Sequence, residues 1–166
     1  MARIVSETTL MDNHWNQYKE EYDTESILLA NFLEIDIDEA QSLIDKDDYL
    51  VLTDEQADKV VRDYIKETVW AFNPSFLSKH TGVDEEIFTN LAERCEANNK
   101  SYLRMIRDLD EFIEQAVSAD GRAHFMSSYD GNEHEVLYYQ VVATKNHDMH
   151  ISYNTKQVPY YIYRMG

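Results

Sequence analysis

Hydrophobic side chains recur every three or four positions through the first two thirds of the chain, which is the period of a helix with one buried face. Trp15, Tyr18 and Tyr22 have this spacing, and a denser apolar run follows Thr24. Asp36 precedes a third helical pattern as an N-cap, because its carboxylate can accept a hydrogen bond from a backbone N–H of the first turn. We therefore expect the N-terminal part of the chain to be helical.

The clearest helix start is Thr53, which is followed three positions later by Gln56. This spacing is a capping box, in which each side chain binds the backbone N–H of the other residue. The helix should end before Asn73-Pro74, because the residue that precedes a proline avoids helical geometry. The remaining pattern predicts a strand over 49–52, a short helix from Pro74 to Gly82, a helix capped by Asp84, and one long helix over 101–118.

The hydrophobic period drops to two after Gly121, and the composition becomes rich in Tyr and Val. Alternation over 136–142 and 160–163 predicts strands, and Asp130-Gly131 is a dipeptide that tight hairpin turns favour. We expect a single domain, with a helical lobe over residues 1–121 and an antiparallel β meander over residues 122–166. The predicted fold class is α+β, with a helical N-terminal two thirds and a small antiparallel C-terminal sheet.

Length and composition agree with one folded domain. The chain has 166 residues, 43% of them hydrophobic, and its 12 Tyr and 6 Phe supply apolar area that offsets the entropy of the chain. Cys95 is the only cysteine, so no internal disulfide can form and a reducing compartment is expected. The sequence contains neither a signal-peptide pattern nor ~18 consecutive apolar residues. We expect a cytoplasmic protein of a host cell.

Negative charge is concentrated in the predicted helical lobe, and the formal net charge is −17. Residues 1–60 contain 16 acidic and 4 basic side chains, residues 61–121 contain 12 and 7, and residues 122–166 contain 4 and 4. A field of this sign repels nucleic acid and anionic membranes and attracts basic protein surfaces. We expect no direct contact with nucleic acid or membrane, and a basic host protein as the partner.

Nine acidic residues lie within 23 positions of one another, and Lys46 is the only basic residue among them. Carboxylates on short helices joined by tight loops can be spaced similarly to the phosphates along a nucleic acid strand. The alternative is that this charge only maintains solubility. The predicted partner-binding residues are Asp36, Asp38, Glu39, Asp45, Asp47, Asp48, Asp54, Glu55 and Asp58.

The densest polar segment covers residues 119–133. It brings a carboxylate, a guanidinium, an imidazole and hydroxyls close together in sequence, a composition that suits acid–base chemistry. The alternative is structural, because Gly, Asp, Asn and Ser are common at helix ends and turns for backbone reasons. The candidate pocket residues are Asp120, Arg122, His124, Tyr129 and Asp130.

The same segment carries a resemblance to known proteins. Residues 120–131 have the sequence DGRAHFMSSYDG, and Tyr161-Ile162-Tyr163-Arg164 follows near the end of the chain. Both patterns resemble those of small acidic proteins of bacteriophage and plasmid genomes, although Ala123 stands where the pattern more often has glycine. The resemblance implies an origin in a mobile element and assigns no catalytic residue.

Four histidines in the predicted sheet region raise the question of a metal site. A zinc site needs three or four converging ligands, usually as a close pair and a distant pair. His147 and His150 are three positions apart, which suits a helix or turn better than a strand, and His124 and His134 stand alone. We expect no metal and no cofactor. Cys95 lies on a predicted apolar face and is expected to be a buried hydrophobic side chain.

The sequence contains no phosphate-binding loop, nucleophile elbow or HExxH motif, which favours a function other than catalysis. We predict a non-enzymatic phage-type protein that binds the nucleic-acid-binding surface of a host protein, for example as a DNA-mimic inhibitor of a restriction or CRISPR nuclease. The alternative is a small enzyme or ligand-binding protein centred on residues 120–130. A further hypothesis is a homodimer formed through the edges of the Tyr-rich strands.

Overall fold

The computed structural model describes residues 3–6, 23–91, 96–145 and 151–166, and these residues form an α+β fold, as predicted. The helices are α1 (Thr24–Leu33), α2 (Ile37–Asp45), α3 (Asp54–Thr68), α4 (Pro74–Thr81), α5 (Glu85–Asn90), α6 (Asn99–Met105), α7 (Leu109–Asp120) and α8 (Arg122–Met126). The strands are β1 (Arg3–Ser6), β2 (Tyr49–Thr53), β3 (His134–Lys145) and β4 (Ile151–Arg164). Short 3-10 turns cover Val69–Ala71 and Glu96–Asn98.

The four strands form one sheet in the order β1-β3-β4-β2. β3 and β4 pair antiparallel, with Val136 opposite Tyr160, and β2 pairs antiparallel with the other side of β4, with Val51 opposite Ile162. β1 lies parallel to β3. The predicted antiparallel sheet is therefore present, and two strands from the N-terminal part of the chain extend it on both sides.

The chain divides into two compact units. The sheet unit comprises Met1–Ala57 and Met126–Gly166, and the helical unit comprises Asp58–Phe125. The core of the sheet unit forms because α1 and α2 bury apolar side chains against the strands; Leu28, Leu29 and Ile162 are fully buried there. The buried side chains of the helical unit include Ile65, Leu77, Phe88 and Phe112. The prediction of a single domain stays a prediction.

Local capping signals place several helix ends where the sequence predicts them. The Asp36 carboxylate accepts a hydrogen bond of 2.9 Å from the Asp38 N–H at the start of α2. The capping box is formed, because the Thr53 N–H donates to Gln56 Oε1 at 2.8 Å and the Gln56 N–H donates to Thr53 Oγ1 at 3.3 Å. Gly82 ends α4 with a φ of 71°, a left-handed conformation that glycine adopts without steric cost.

The predicted long helix over 101–118 is wrong, because α6 ends at Met105 and α7 begins at Leu109. Ile106 is extended, and the Arg107 N–H donates to the His80 carbonyl at 3.0 Å instead of continuing the helix. The Asp108 carboxylate then caps α7 by accepting from the Glu111 N–H at 3.0 Å. An aspartate inside a helical pattern competes for backbone donors in this way, and here it starts a new helix.

The expected meander over 122–166 also differs from the structure. Its first residues form the short helix α8, and the rest contributes two long strands. Asp130-Gly131 connects α8 to β3, so the predicted hairpin turn between two strands is wrong. The dipeptide still makes a tight turn, because the Gly131 N–H donates to the Ser127 carbonyl at 3.1 Å and Gly131 has a φ of 67°.

Three expectations concern residues outside the described ranges. They are the helix through Trp15, Tyr18 and Tyr22, the burial of Cys95, and the histidine pair His147 and His150. Of the Tyr-rich segments that were expected at sheet edges, residues 136–139 lie between β1 and β4, residues 160–162 lie between β3 and β2, and residues 140–142 pair with residues 154–156 of β4. Residues 136–139 and 160–162 are therefore interior to the sheet.

Candidate functional site

The predicted partner-binding acids are accessible to solvent. Eight of the nine are exposed, and Asp48 is half-buried. Over residues 23–58 the chain carries 12 acidic side chains, and Lys46 is the only basic one. The predicted charge excess is therefore presented at the surface of the described structure, where it can act on a partner.

Helix geometry explains the positions of several of these acids. Asp38 and Glu39 lie in the first turn of α2, and Asp54 and Glu55 lie in the first turn of α3. Carboxylates stabilise a helix at this end, because they face the partial positive charge of the backbone N–H groups. These four side chains therefore stabilise their helices locally, and they also present negative charge to the solvent.

The other acids of the set also have local contacts. The Asp45 carboxylate accepts from Gln41 Nε2 at 2.8 Å, and Asp47 has a left-handed backbone with a φ of 58°. The Asp48 carbonyl accepts from the Met165 N–H at 2.8 Å. In the helical unit, Asp58 forms an ion pair of 2.9 Å with Arg122, so its charge is locally compensated.

The candidate pocket residues divide between the two units. Asp120 and His124 line a cavity of the helical unit, and Arg122 is engaged with Asp58. Tyr129 and Asp130 belong to the sheet unit. There the Arg164 guanidinium lies 3.6 Å from the centre of the Tyr129 ring, a cation–π contact that accounts for this tyrosine structurally.

Asp130 is held by the turn that contains it. Its Oδ1 accepts from the Ser127 hydroxyl at 2.8 Å and from the Asn132 N–H at 3.0 Å. The Ser127 hydrogen bond, followed by that of Asn132, holds the pKa of the Asp130 carboxyl below its usual range. The same hydroxyl lies 2.9 Å from the Arg164 carbonyl, and its single proton can serve only one of these two acceptors at a time.

The cavity of the helical unit lies beside two of the predicted residues, Asp120 and His124. Its volume is about 590 Å³. Apart from Asp120 and His124, the sequence did not single out its walls as a site, although the aromatic residues before Asn73-Pro74 were a signal for them. The lining residues are Tyr64, Thr68, Trp70, Ala71, Phe72, Asn73, Phe76, Ala116, Ala119, Asp120, His124 and Phe125.

Aromatic rings dominate the walls of the cavity. Phe72 is central among them, with ring-centre distances of 5.4 Å to Phe76 and 6.2 Å to Phe125. Tyr64 lies 6.3 Å from Phe125, and His124 meets Phe125 edge to face at 5.0 Å. The helix break after Thr68 produces this arrangement, because α3 gives way to a 3-10 turn that places Trp70 and Phe72 beside α4.

Behind this wall lies a buried histidine that sequence reasoning did not consider. His80 is 5% exposed and packs between Phe76 and Phe112, with ring-centre distances of 4.7 and 5.1 Å. Within the described residues its Nε2 has no hydrogen-bond partner. Burial, assisted by the Lys79 charge, lowers the pKa of His80 below its ordinary value, against smaller opposing effects of Glu111, Gln115 and Asp108.

Metal-ligand clusters and membrane-spanning helices are both absent from the described part of the chain. No group of three or more His, Cys, Asp or Glu side chains there is arranged to hold a metal ion, and His134 packs its ring against Phe32 at 5.1 Å. None of the helices within those ranges combines the length and the apolar character needed to cross a membrane.

Comparison with known proteins yields no match to a family model, to a curated protein or to a solved structure. The similarity to small acidic phage and plasmid proteins therefore stays a prediction.

Proposed function

We propose that this protein binds a basic surface of a host protein through its acidic region, which we define as the exposed acids of residues 36–55. The observation that carries the proposal is the exposed charge excess, with 12 acids and one lysine over residues 23–58. Fields of this strength steer association with a complementary surface and select against partners of like charge. The proposed site of action is the cytoplasm of a host cell.

The more specific form of the proposal is inhibition of a nuclease by occupation of its DNA-binding channel. Such a channel is lined by lysine and arginine that normally contact phosphates. A rigid arrangement of carboxylates supports this form, and the local contacts of the Asp36 and Asp45 carboxylates support such rigidity in the acidic region. Duplex DNA should then compete with the protein for the partner.

The test uses a variant that removes charge and preserves shape. Asp38→Asn, Glu39→Gln, Asp54→Asn and Glu55→Gln together neutralise the first turns of α2 and α3. At about 0.5 kcal/mol for each exposed charge, the four changes weaken binding by about 2 kcal/mol, or ~30-fold in Kd. The measurement is capture of host-lysate proteins at low and high salt, followed by competition with duplex DNA and by nuclease assays on the captured proteins.

The chain offers a matched control in the helical unit. Glu85→Gln, Glu86→Gln, Asp110→Asn and Glu111→Gln remove four charges from the first turns of α5 and α7. This control should retain capture of the host protein, because its acidic region is unchanged. Its net charge equals that of the test variant, so the two variants differ only in where the charge is removed. Equal capture by both folded variants, or capture that high salt does not weaken, would contradict the proposal.

The second candidate function is ligand binding at Asp120 and His124. The observation that favours it is the aromatic cavity that both residues line. Its test is independent of the acidic region, because the cavity lies wholly within the helical unit.

A further inference from the structure

We infer that the aromatic cavity of the helical unit binds an organic cation, an ammonium or guanidinium group carried on an apolar body. This inference deepens the second candidate function by naming the ligand class, and it rests on that function. The occupant is either a basic side chain of a partner protein or a free small molecule, and the two sources share the same chemistry.

The ring arrangement is the first support. Phe72, Phe76 and Phe125 form a continuous wall, Tyr64 extends it beside Phe125, and Trp70 adds a further ring to the lining. The faces of aromatic rings carry negative electrostatic potential and attract cations within about 6 Å of the ring centre. The effect increases with desolvation of the cation.

Charge complementarity is the second support. Asp120 is the only carboxylate among the described lining residues, and no lysine or arginine lines the cavity in the described ranges. The basic residue nearest in sequence, Arg122, is paired with Asp58. A cation entering the cavity thus meets a carboxylate and, among the described lining residues, no lysine or arginine.

Asp120 also has an unfavourable position for a purely structural carboxylate. It is the last residue of α7, where the partial negative charge of the helix end opposes an acidic side chain. Two other polar lining residues serve the backbone: Thr68 donates to the Tyr64 carbonyl at 2.8 Å, and Asn73 caps α4. Asp120 is therefore the group best placed to accept a hydrogen bond from a bound cation.

The size of the cavity sets the body of the ligand. About 590 Å³ is within the range of small-molecule sites, which is roughly 300–1,000 Å³. A simple ammonium ion leaves most of this volume unfilled. The apolar lining therefore favours a cation attached to a ring or to an extended alkyl chain, whose burial adds to the affinity.

The experiment compares cations with neutral molecules of the same shape. Benzamidine is paired with benzamide, and N-acetyl-arginine methylamide is paired with the corresponding citrulline derivative. Binding to the full chain is measured by NMR titration, with the Trp70 indole N–H as the reporter of the cavity. We expect each cation to bind at least about tenfold more tightly than its neutral counterpart.

Variants then test the role of each wall. Asp120→Asn should reduce the preference for the cation, because the amide cannot supply the charge, and it should preserve α7. Trp70→Leu keeps an apolar side chain and should weaken binding of the cations more than binding of the neutral molecules. Because this variant lacks the indole reporter, its affinities are measured by isothermal titration calorimetry. Glu114→Gln is the matched control, because Glu114 is an exposed acid of α7 that does not line the cavity, and it should leave all affinities unchanged.

The outcomes separate the sources and the two proposed functions. If the arginine derivative binds more tightly than benzamidine, the site is assigned to a partner side chain. If benzamidine alone binds, the site is assigned to a small molecule. Both results support a cation site. Equal affinity of the charged and neutral molecules, no binding of any probe, or an unchanged preference in folded Asp120→Asn overturns the inference. The variant of the acidic region should bind every probe normally, so failure of host capture does not affect this result.

Discussion

Two residues, His80 in the helical unit and Gly131 in the turn before β3, affect stability for different physical reasons. His80 is buried among aromatic rings, where the neutral imidazole is favoured over the charged one. Gly131 has a φ of 67°, and an added Cβ there meets no atom within 4 Å. His80 therefore makes the free energy of unfolding depend on pH. At Gly131, a substitution changes the free energy of unfolding through the backbone conformation that the new residue must adopt.

We expect the protein to lose stability as the pH falls below the ordinary histidine range. Because the pKa of His80 is lowered in the folded state, the unfolded chain binds this proton first, and the free energy of unfolding decreases from about pH 6.5 downward. His80→Gln should reduce the difference between urea midpoints measured at pH 7.5 and pH 5.5. An identical difference in the folded variant would show that other groups cause the pH dependence.

Gly131→Val should lower the free energy of unfolding by about 1–2 kcal/mol, which is the cost of a left-handed conformation for a residue with a Cβ. A Cβ added at Gly131 meets no atom within 4 Å, so a clash of that Cβ with its surroundings is not the cause. Gly131→Asn is the control, because asparagine tolerates this conformation better than valine. Urea denaturation of the two variants measures the difference, and equal losses would argue against backbone strain.

At the scale of helices and strands, some structural features can be predicted from the sequence and others cannot. The starts of α2, α3 and α4 were predicted well, because a cap acts within three or four residues and its signal is local. The break at 106–108 was missed, since apolar periodicity continues across it and only Asp108 interrupts the pattern. The cavity was missed for a different reason: its walls come from α3, α4, α7, α8 and the turn between α3 and α4, and sequence periodicity does not show how these elements pack.

Asp108→Ala should therefore cost about 1 kcal/mol, because it removes the side chain that accepts from the Glu111 N–H. Asp108→Ser should retain most of the stability, since a serine hydroxyl can cap the same helix. The comparison is made by urea denaturation, with circular dichroism of the native state to follow helix content. A gain in helicity without a loss of stability would instead favour one continuous helix over this stretch.

At the scale of the whole molecule, a net charge of −17 opposes compaction through repulsion among like charges. Salt screens this repulsion, with a Debye length of about 10 Å at 0.1 M. The melting temperature should rise between 10 and 200 mM NaCl, and the rise should be smaller in the variant of the acidic region than in wild type. The control with four neutralised acids of the helical unit shows how much of the effect depends on location; a salt-independent wild-type melting temperature would contradict this expectation.

The homodimer hypothesis also belongs to this scale. Residues 136–139 and 160–162 already have strands on both sides, so these parts of the Tyr-rich segments cannot accept another strand without breaking the sheet. We expect light scattering at micromolar concentrations to give a mass that does not change with protein concentration. A concentration-dependent doubling of mass would support the homodimer hypothesis, with pairing outside residues 136–139 and 160–162.

The position of β4 inside the sheet has a consequence for the order in which a newly made chain can fold. β4 is flanked by β3 and β2, and its residues leave the ribosome after every residue of the helical unit. The helical unit can begin to pack while synthesis continues, whereas α1, α2 and β2 must wait for Ile162 before their shared core closes. Contacts between residues so distant in sequence form slowly, and during that interval the apolar face of α1 is a target for chaperones or for aggregation.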